Sequence, residues 1–471
     1  MKKTLGRLAI KPHPKAGLLL SAALVPLLLF QQVHVAQSAD PLARDPGVRA
    51  TAPGAGGPIR LLTARESAFF AAGKDDFEDV EDAKAGLGPT MNLDSCAGCH
   101  SQPASGGSSP MVNPQIAFAT KLGARNRIPS FIRRDGPVRE ARFVRNPDGS
   151  PDGGVHSLFT IAGRSDAPGC GLAQPDFERE MWRGNVIFRI PTPVFGAGLI
   201  EQIPDRTILA NQAASAPQRQ ALGIRGRANV IVPFHTLSGQ VSGQSNNNGN
   251  DGTIARFGWK AQNKSLMMFS GEAYNVEMGI SNEIFPTERD ESAGCQYATN
   301  PNDSFNTAAA DPIAAMGGAE KFAMFMRLLA PPAPSPDQPG GAASIGRGRA
   351  RFWEAGCALC HTPSMRTGDA TIAALRQQQV DLYSDLLVHD MGNGLADGIS
   401  QGQAGPREFR TAPLWGLGQR TFFLHDGRTG DLAVAIRQHA SQGSEANGVV
   451  ARYNGMREAD KQDLLNFLRS L

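Results

Sequence analysis

The segment Asn92–Gly107 reads NLDSCAGCHSQPASGG and carries Cys96, Cys99 and His100 as C-x-x-C-H. The arrangement returns in EAGCALCHTPS, where Cys357, Cys360 and His361 form it, and these two units use four of the six cysteines in the chain. Two thiols three positions apart can each add to one vinyl group of a haem, and the histidine that follows then reaches the iron as proximal ligand. A thioredoxin-type dithiol needs neither that histidine nor a second copy. A zinc site usually combines four Cys or His ligands in one compact cluster. The repeat therefore predicts two covalently bound c-type haems, with His100 and His361 on the iron.

Working outward from the second unit, SIGRGRARFWEAG predicts a helix leading into it. The chain closes with READKQDLLNFLRSL, where Leu464, Leu465, Leu468 and Leu471 fall at helical spacing. Acids stand early in that stretch and Arg469 late, as the helix macrodipole prefers. Helix, C-x-x-C-H, then amphipathic helix is the layout of a small cytochrome c. The first copy has the same start: TARESAFFAAG places Thr63 and Glu66 at capping-box spacing. Its later helix is GAEKFAMFMRLLA, with Phe322, Phe325, Met326 and Leu329 on one face. PPAPSPDQPGG then reads as a helix stop and linker. Between about 101 and 310 the chain is rich in Gly, Pro and Asn, and GNVIFRIPTPVFGAGLIEQIP suits short extended segments. The predicted fold is mainly α, with two cytochrome c-like domains and long loop-rich insertions in the first. The expected boundaries are 61–330 for the N-terminal haem domain, 331–343 for the Pro-rich linker and 344–471 for the C-terminal domain.

The first 39 residues read as a signal peptide: a basic MKKTLGRLAIKPHPK, the 15-residue apolar run Ala16–Phe30, and small residues for cleavage near Ser38 or Ala39. The run is short for a membrane span and Pro26 interrupts it, so no stable span is expected after cleavage. Residues 40–60, rich in Ala, Gly and Pro, read as a flexible leader. The expected location is periplasmic or secreted. The formal net charge of +3 includes five cations within the signal, leaving about −2 on the mature chain, which argues against a nucleic-acid partner. Export also predicts that the two remaining cysteines, Cys170 and Cys295, pair as a disulfide.

Outside the signal and the two motifs, His156, His235, His389, His425 and His439 are left as further iron ligands or ordinary histidines. Six stretches narrow the choice: GLGPTMNLDSCAGCHSQPASGG, RIPTPVFGAGLIEQIPD, RFGWKAQ, EMGISNEIFP, DLLVHDMGNGLADG and LWGLGQRTFFLHDGRTGDLAVAIRQH. Together they resemble the di-haem oxidoreductase, putative peroxidase family over roughly 60–471. Some of its members have been labelled thiol oxidoreductases. The family is similar to bacterial di-haem cytochrome c peroxidases and to the di-haem enzyme that matures tryptophan tryptophylquinone. Rubber oxygenases are more distant relatives.

The resemblance implies an electron-relay haem in the C-terminal domain. Its distal ligand follows the HDG histidine, here His425, by 14 residues, which is His439. Peroxidase relatives carry Met or Tyr there. His361 and His439 would give a bis-histidine, low-spin iron suited to electron transfer. His389 and His425 are expected to support that pocket through hydrogen bonds. The first haem has no such distal candidate and would be the place for hydrogen peroxide or dioxygen. The family's inter-haem Trp matches Trp259, its distal Glu matches Glu277, and Gln262 lies near. Those relatives also hold a calcium ion between their domains, which the oxygen-rich QSNNNGNDG (Gln244–Gly252) admits although it does not fit the EF-hand pattern and reads as a loop. The expected reaction is peroxide reduction by an external one-electron donor such as a small cytochrome or cupredoxin. A di-haem oxygenase or protein-modifying oxidase, and a non-enzymatic di-haem electron carrier, are the alternatives.

Overall fold

The computed structural model describes residues 42–50, 54–90, 93–155, 161–230, 254–287, 292, 294–335 and 337–471. The expectations for the signal peptide, for His156 and His235, and for the Gln244–Gly252 loop lie outside these residues. The helices that set the architecture are α1 (Ala64–Glu78), α2 (Leu266–Met278), α3 (Gly318–Leu328), α4 (Gly341–Ala355), α5 (Leu432–Gln438) and α6 (Glu458–Ser470). Among the described residues no helix is long and apolar enough to cross a membrane.

Helix α1 starts where its capping box marks it. Glu66 N donates to Thr63 Oγ1 at 3.2 Å and Thr63 N donates to Glu66 Oε2 at 2.7 Å, pairing two amides that a helix start otherwise leaves open. Phe322, Phe325 and Met326 of α3 are buried as their spacing predicts. Phe70 and Phe77 of α1 meet Phe325 with ring centroids 5.5 and 4.8 Å apart. Burial of each such ring contributes roughly 1.5–3 kcal/mol. The contact requires close backbones: a Cβ on Gly73 of α1 would stand 2.2 Å from Lys321 O. The same device recurs where α4 crosses α6. There Phe352 meets Phe467 at 5.5 Å, and a Cβ on Gly348 would lie 2.0 Å from Asp463 O. Each C-x-x-C-H thus follows a helix that crosses a later helix at a glycine.

The fold is mostly helical, as the sequence predicts, with small two-stranded antiparallel ladders added. Glu140–Phe143 pairs with Val186–Arg189 so that Glu140 faces Arg189. Val388–Asp390 pairs with Glu408–Arg410 and sets His389 opposite Phe409. Two large hydrophobic clusters form the interior. One is gathered around α1 and α3, the other between α4, α5 and α6.

Within the 40–60 segment, the described residues 42–50 and 54–60 are held in place, where their composition predicts a loose leader. Ala43 N donates to Glu458 Oε2 and Arg44 N to Gln462 Oε1, both at 2.8 Å and both on α6. Asp45 forms a buried ion pair with Arg469 at 2.7 Å and accepts from Leu432 N, the first amide of α5, at 2.7 Å. Further on, Ile59 N donates to Leu328 O, and Ala330 N and Ala333 N donate to Gly57 O and Gly54 O. The strap therefore meets the end of α3 and the start of the Pro-rich stretch. Three of these are backbone–backbone bonds, which a sequence of Ala, Gly and Pro does not advertise.

Cys170 and Cys295 form the expected disulfide, closing a separation of 125 residues. Cross-links of this kind stabilise chiefly by restricting the unfolded chain, by about 2–5 kcal/mol. Replacing both cysteines by alanine is expected to lower the urea midpoint correspondingly, with haem content unchanged. An unmoved midpoint would assign the bridge no part in stability.

Candidate functional site

Ser95 caps the single helical turn Cys96–Cys99, its Oγ accepting from Gly98 N at 3.1 Å. His100 N donates to Cys96 O at 3.0 Å, so the two thiols and the imidazole project from one turn. Cys96, Cys99 and His100 line one cavity together with Trp259, Gln262 and Glu277. Glu277 comes from the last turn of α2, while Trp259 and Gln262 lie just before that helix. His100 Nδ1 lies 3.0 Å from Gly107 O. A carbonyl can only accept, so Nδ1 carries the proton and the Nε2 lone pair is free for a metal. Glu277 Oε2 stands 3.7 Å from that Nε2. Gln262 Oε1 is buried without a hydrogen-bond partner among the described residues. An orphaned amide in a cavity wall is costly unless a ligand or water satisfies it.

The second C-x-x-C-H lines another cavity, with His361, His389, His425 and His439 all on its wall. His361 Nδ1 lies 3.0 Å from Tyr383 O, and His439 Nδ1 lies 2.7 Å from Ala435 O, one turn back on α5. Both rings again keep Nε2 free. Burial, then the neighbouring His439, lowers the His361 pKa to about 4, and burial lowers that of His439. Both imidazoles are therefore neutral near pH 7, the form that ligates iron. His389 is different: its Nε2 lies 3.0 Å from Asp385 Oδ2 and its Nδ1 2.9 Å from Glu445 Oε2. Burial opposes its charge, but Cys360 and Asp385 outweigh burial and raise its pKa. A sulfur capped as a thioether carries no charge, so in a haem-bearing protein the two carboxylates remain its partners. With both nitrogens engaged, His389 supports the wall.

The chemistry of the donor set fits haem c. All four motif cysteines are free. Burial, with Glu277 as second cause, pushes the thiols of Cys96 and Cys99 up, and burial followed by Cys360 pushes Cys357 up to about 12. Zinc sites and reactive dithiols want the opposite, a thiolate at neutral pH. A neutral thioether suits these apolar walls. Among the described residues no group of three or more His, Cys, Asp or Glu is placed to hold a free metal ion, so calcium gains no support.

Trp259 lines both cavities. Its Nε1 donates to Ile190 O at 2.9 Å, and its ring packs with Ile190, Leu395 and Phe409. It is thus a core residue and a shared wall at once. His425 stacks on Phe409 at 4.3 Å and meets Trp259 edge-on at 6.4 Å. Burial, then Arg189, Arg428 and Lys260, keeps its pKa well below the usual range. No described residue hydrogen-bonds its ring nitrogens, so the expected hydrogen-bonding support is replaced by stacking.

Several wall residues escaped sequence reading. Arg139, Glu140, Arg142 and Arg189 line the first cavity, delivered by the register of the Glu140–Phe143 ladder. The dense charge of VREARF (138–143) is the one trace of them in the sequence. Arg410 and Arg420 line the second cavity; Arg420 falls within the LWGLGQR stretch, but nothing in the sequence assigns either of them a role.

A family model described as "Di-haem oxidoreductase, putative peroxidase" matches residues 142–471. No curated protein matches the chain. Among solved structures, hydrazine synthase of Kuenenia stuttgartiensis, pressurized with 20 bar xenon, is similar at 18% identity with a TM-score of 0.22. That match covers 34% of this chain and 56% of the other, so the chain spans little more than half of that relative's length.

Proposed function

The chain belongs to the di-haem oxidoreductase, putative peroxidase family, and from that premise we propose that it reduces hydrogen peroxide at the first haem with electrons relayed through the second. The observation that carries this reading is the first cavity. It brings Cys96, Cys99 and His100 together with Glu277 and Gln262, more than 150 positions later, and shares Trp259 with the second cavity. Cys96 and Cys99 would hold one haem and Cys357 and Cys360 the other, with His100, His361 and His439 on iron. The haems supply the redox chemistry: peroxide takes two electrons and two protons and leaves as two waters. Glu277 would take a proton from one peroxide oxygen and return it to the other. Gln262 would orient the substrate with its unpaired amide. The 61–330 and 344–471 segments would each form a cytochrome c-like unit, a reading supported by the repeated glycine crossing. The disulfide supports an oxidising location, periplasmic or secreted, where a small cytochrome or cupredoxin can donate electrons.

One distance favours the electron-carrier reading. At 3.7 Å from His100 Nε2, the Glu277 carboxylate would be within reach of an iron held by His100 and could itself bind it. Carbon monoxide decides between the two. Binding to one of two reduced haems, with peroxide consumed by the half-reduced protein, supports the peroxidase. Inertness of both haems to either ligand would leave only electron transfer.

His439→Ala is expected to turn the second haem from low spin to high spin and leave the first unchanged. Electron paramagnetic resonance reads this directly, and a retained low-spin signal would assign the ligand elsewhere.

A further inference from the structure

We propose that Arg420 is the anchor for a propionate of the second haem, with Arg410 beside it as supporting donor. The proposal rests on the reading that the Cys357/Cys360 cavity holds a haem. Arg420 lines that cavity and a small adjoining one bounded by Trp259 and Trp415. Its side chain makes no hydrogen bond or ion pair with any described residue. The neighbouring cation Arg469 is spent on Asp45 and donates through Nη1 to the Arg420 carbonyl at 3.0 Å. Arg410 lines the same two cavities, and its Nε and Nη1 go to the carbonyls of Gly258 and Thr411, at 3.0 and 3.2 Å, rather than to a carboxylate.

Two guanidiniums on one cavity wall with no carboxylate hydrogen-bonded to either are costly, and Arg420 lowers the tolerance of Arg410 for charge. Burial, then Arg420, brings the Arg410 pKa down to about 10, while burial, then Arg469, does the same for Arg420. Elsewhere the protein pairs its interior arginines: Arg256 with Asp205, Arg189 with Asp397 and Arg327 with Glu201. The missing anion at Arg420 has to be supplied by what fills the cavity. A haem presents two carboxylates on one edge, and the forked guanidinium matches a carboxylate with two parallel hydrogen bonds.

The test is the midpoint potential of the second haem in the full-length holoprotein, that haem being identified as the one whose spectrum responds to His439→Ala. The ferric state carries one more positive charge than the ferrous. An unpaired propionate stabilises ferric iron, so Arg420→Gln should lower this potential and leave that of the first haem in place. Arg420→Lys keeps the charge and should largely retain the wild-type value. An unchanged potential in Arg420→Gln at full haem content overturns the proposal. So does an equal fall in Arg420→Lys, since that would reflect packing. Should Arg420→Gln fail to accumulate, the redox-difference infrared spectrum of Arg420→Lys decides. Replacing a fork by a point charge must shift the propionate carboxylate bands, and bands identical to wild type overturn the assignment. A wild-type protein with no haem on Cys357 and Cys360 would instead overturn the underlying reading.

Discussion

Exchanging Glu277 for glutamine is expected to slow peroxide turnover by about 10²–10⁴-fold, the usual worth of a positioned acid–base group. The substitution keeps the size and hydrogen-bonding reach of the side chain and removes only its ability to carry a proton. Haem content and the spectrum of the second haem should therefore not change. Stopped-flow mixing of peroxide with the half-reduced wild-type and variant proteins measures the difference. Equal rates would take Glu277 out of proton transfer and make its position opposite His100 a matter of packing. A variant whose first haem newly binds carbon monoxide, where the wild type does not, would instead identify Glu277 as an iron ligand. Both outcomes follow from one geometric fact, the 3.7 Å between Glu277 Oε2 and His100 Nε2.

Replacing Cys357 and Cys360 together by alanine should remove one covalent haem and, with it, turnover by an external donor. The Cys96/Cys99 double replacement should remove the other haem and the reaction centre. Each variant should show half the haem stain of wild type on a denaturing gel, because only thioether-linked haem survives denaturation. Haem released from wild type into acidified organic solvent would refute covalent attachment at both sites. The two losses differ in kind. On the proposed reading, loss of the second haem would spare a single encounter of the first with peroxide, whereas loss of the first would abolish it.

Much of this was legible because the signals are local. A C-x-x-C-H needs one helical turn to aim its three side chains, and that turn depends on neighbours such as Ser95. The Thr63–Glu66 box fixes the start of α1 within four residues, and the stripe of Phe322, Phe325 and Met326 declares its buried face. Glu277, Gln262 and Trp259 are marked only by resemblance to a family, since no periodicity marks a residue that meets its partner across a cavity. His439 came the same way. What stayed hidden depends on register and on backbone pairing. Glu140 meets Arg189 because two strands align, and Arg420 stands out only once its surroundings show no carboxylate. His389 and His425 look alike in sequence, each before an Asp, yet one is clasped by two carboxylates and the other stacked on Phe409.

The strap at Ala43–Asp45 has a consequence in time. Its partners stand far along the chain: Leu432 follows Asp45 by 387 positions and Arg469 by 424. Closing so long a loop costs conformational entropy that only the finished contacts return. The helix that presents His439 therefore keeps an open first amide until Asp45 closes that loop. Contacts of such high sequence separation form slowly. The second site is consequently the late one to assemble, and a chain broken off before Arg469 could carry its first C-x-x-C-H in place while the second still lacked the clasp that orders its surroundings.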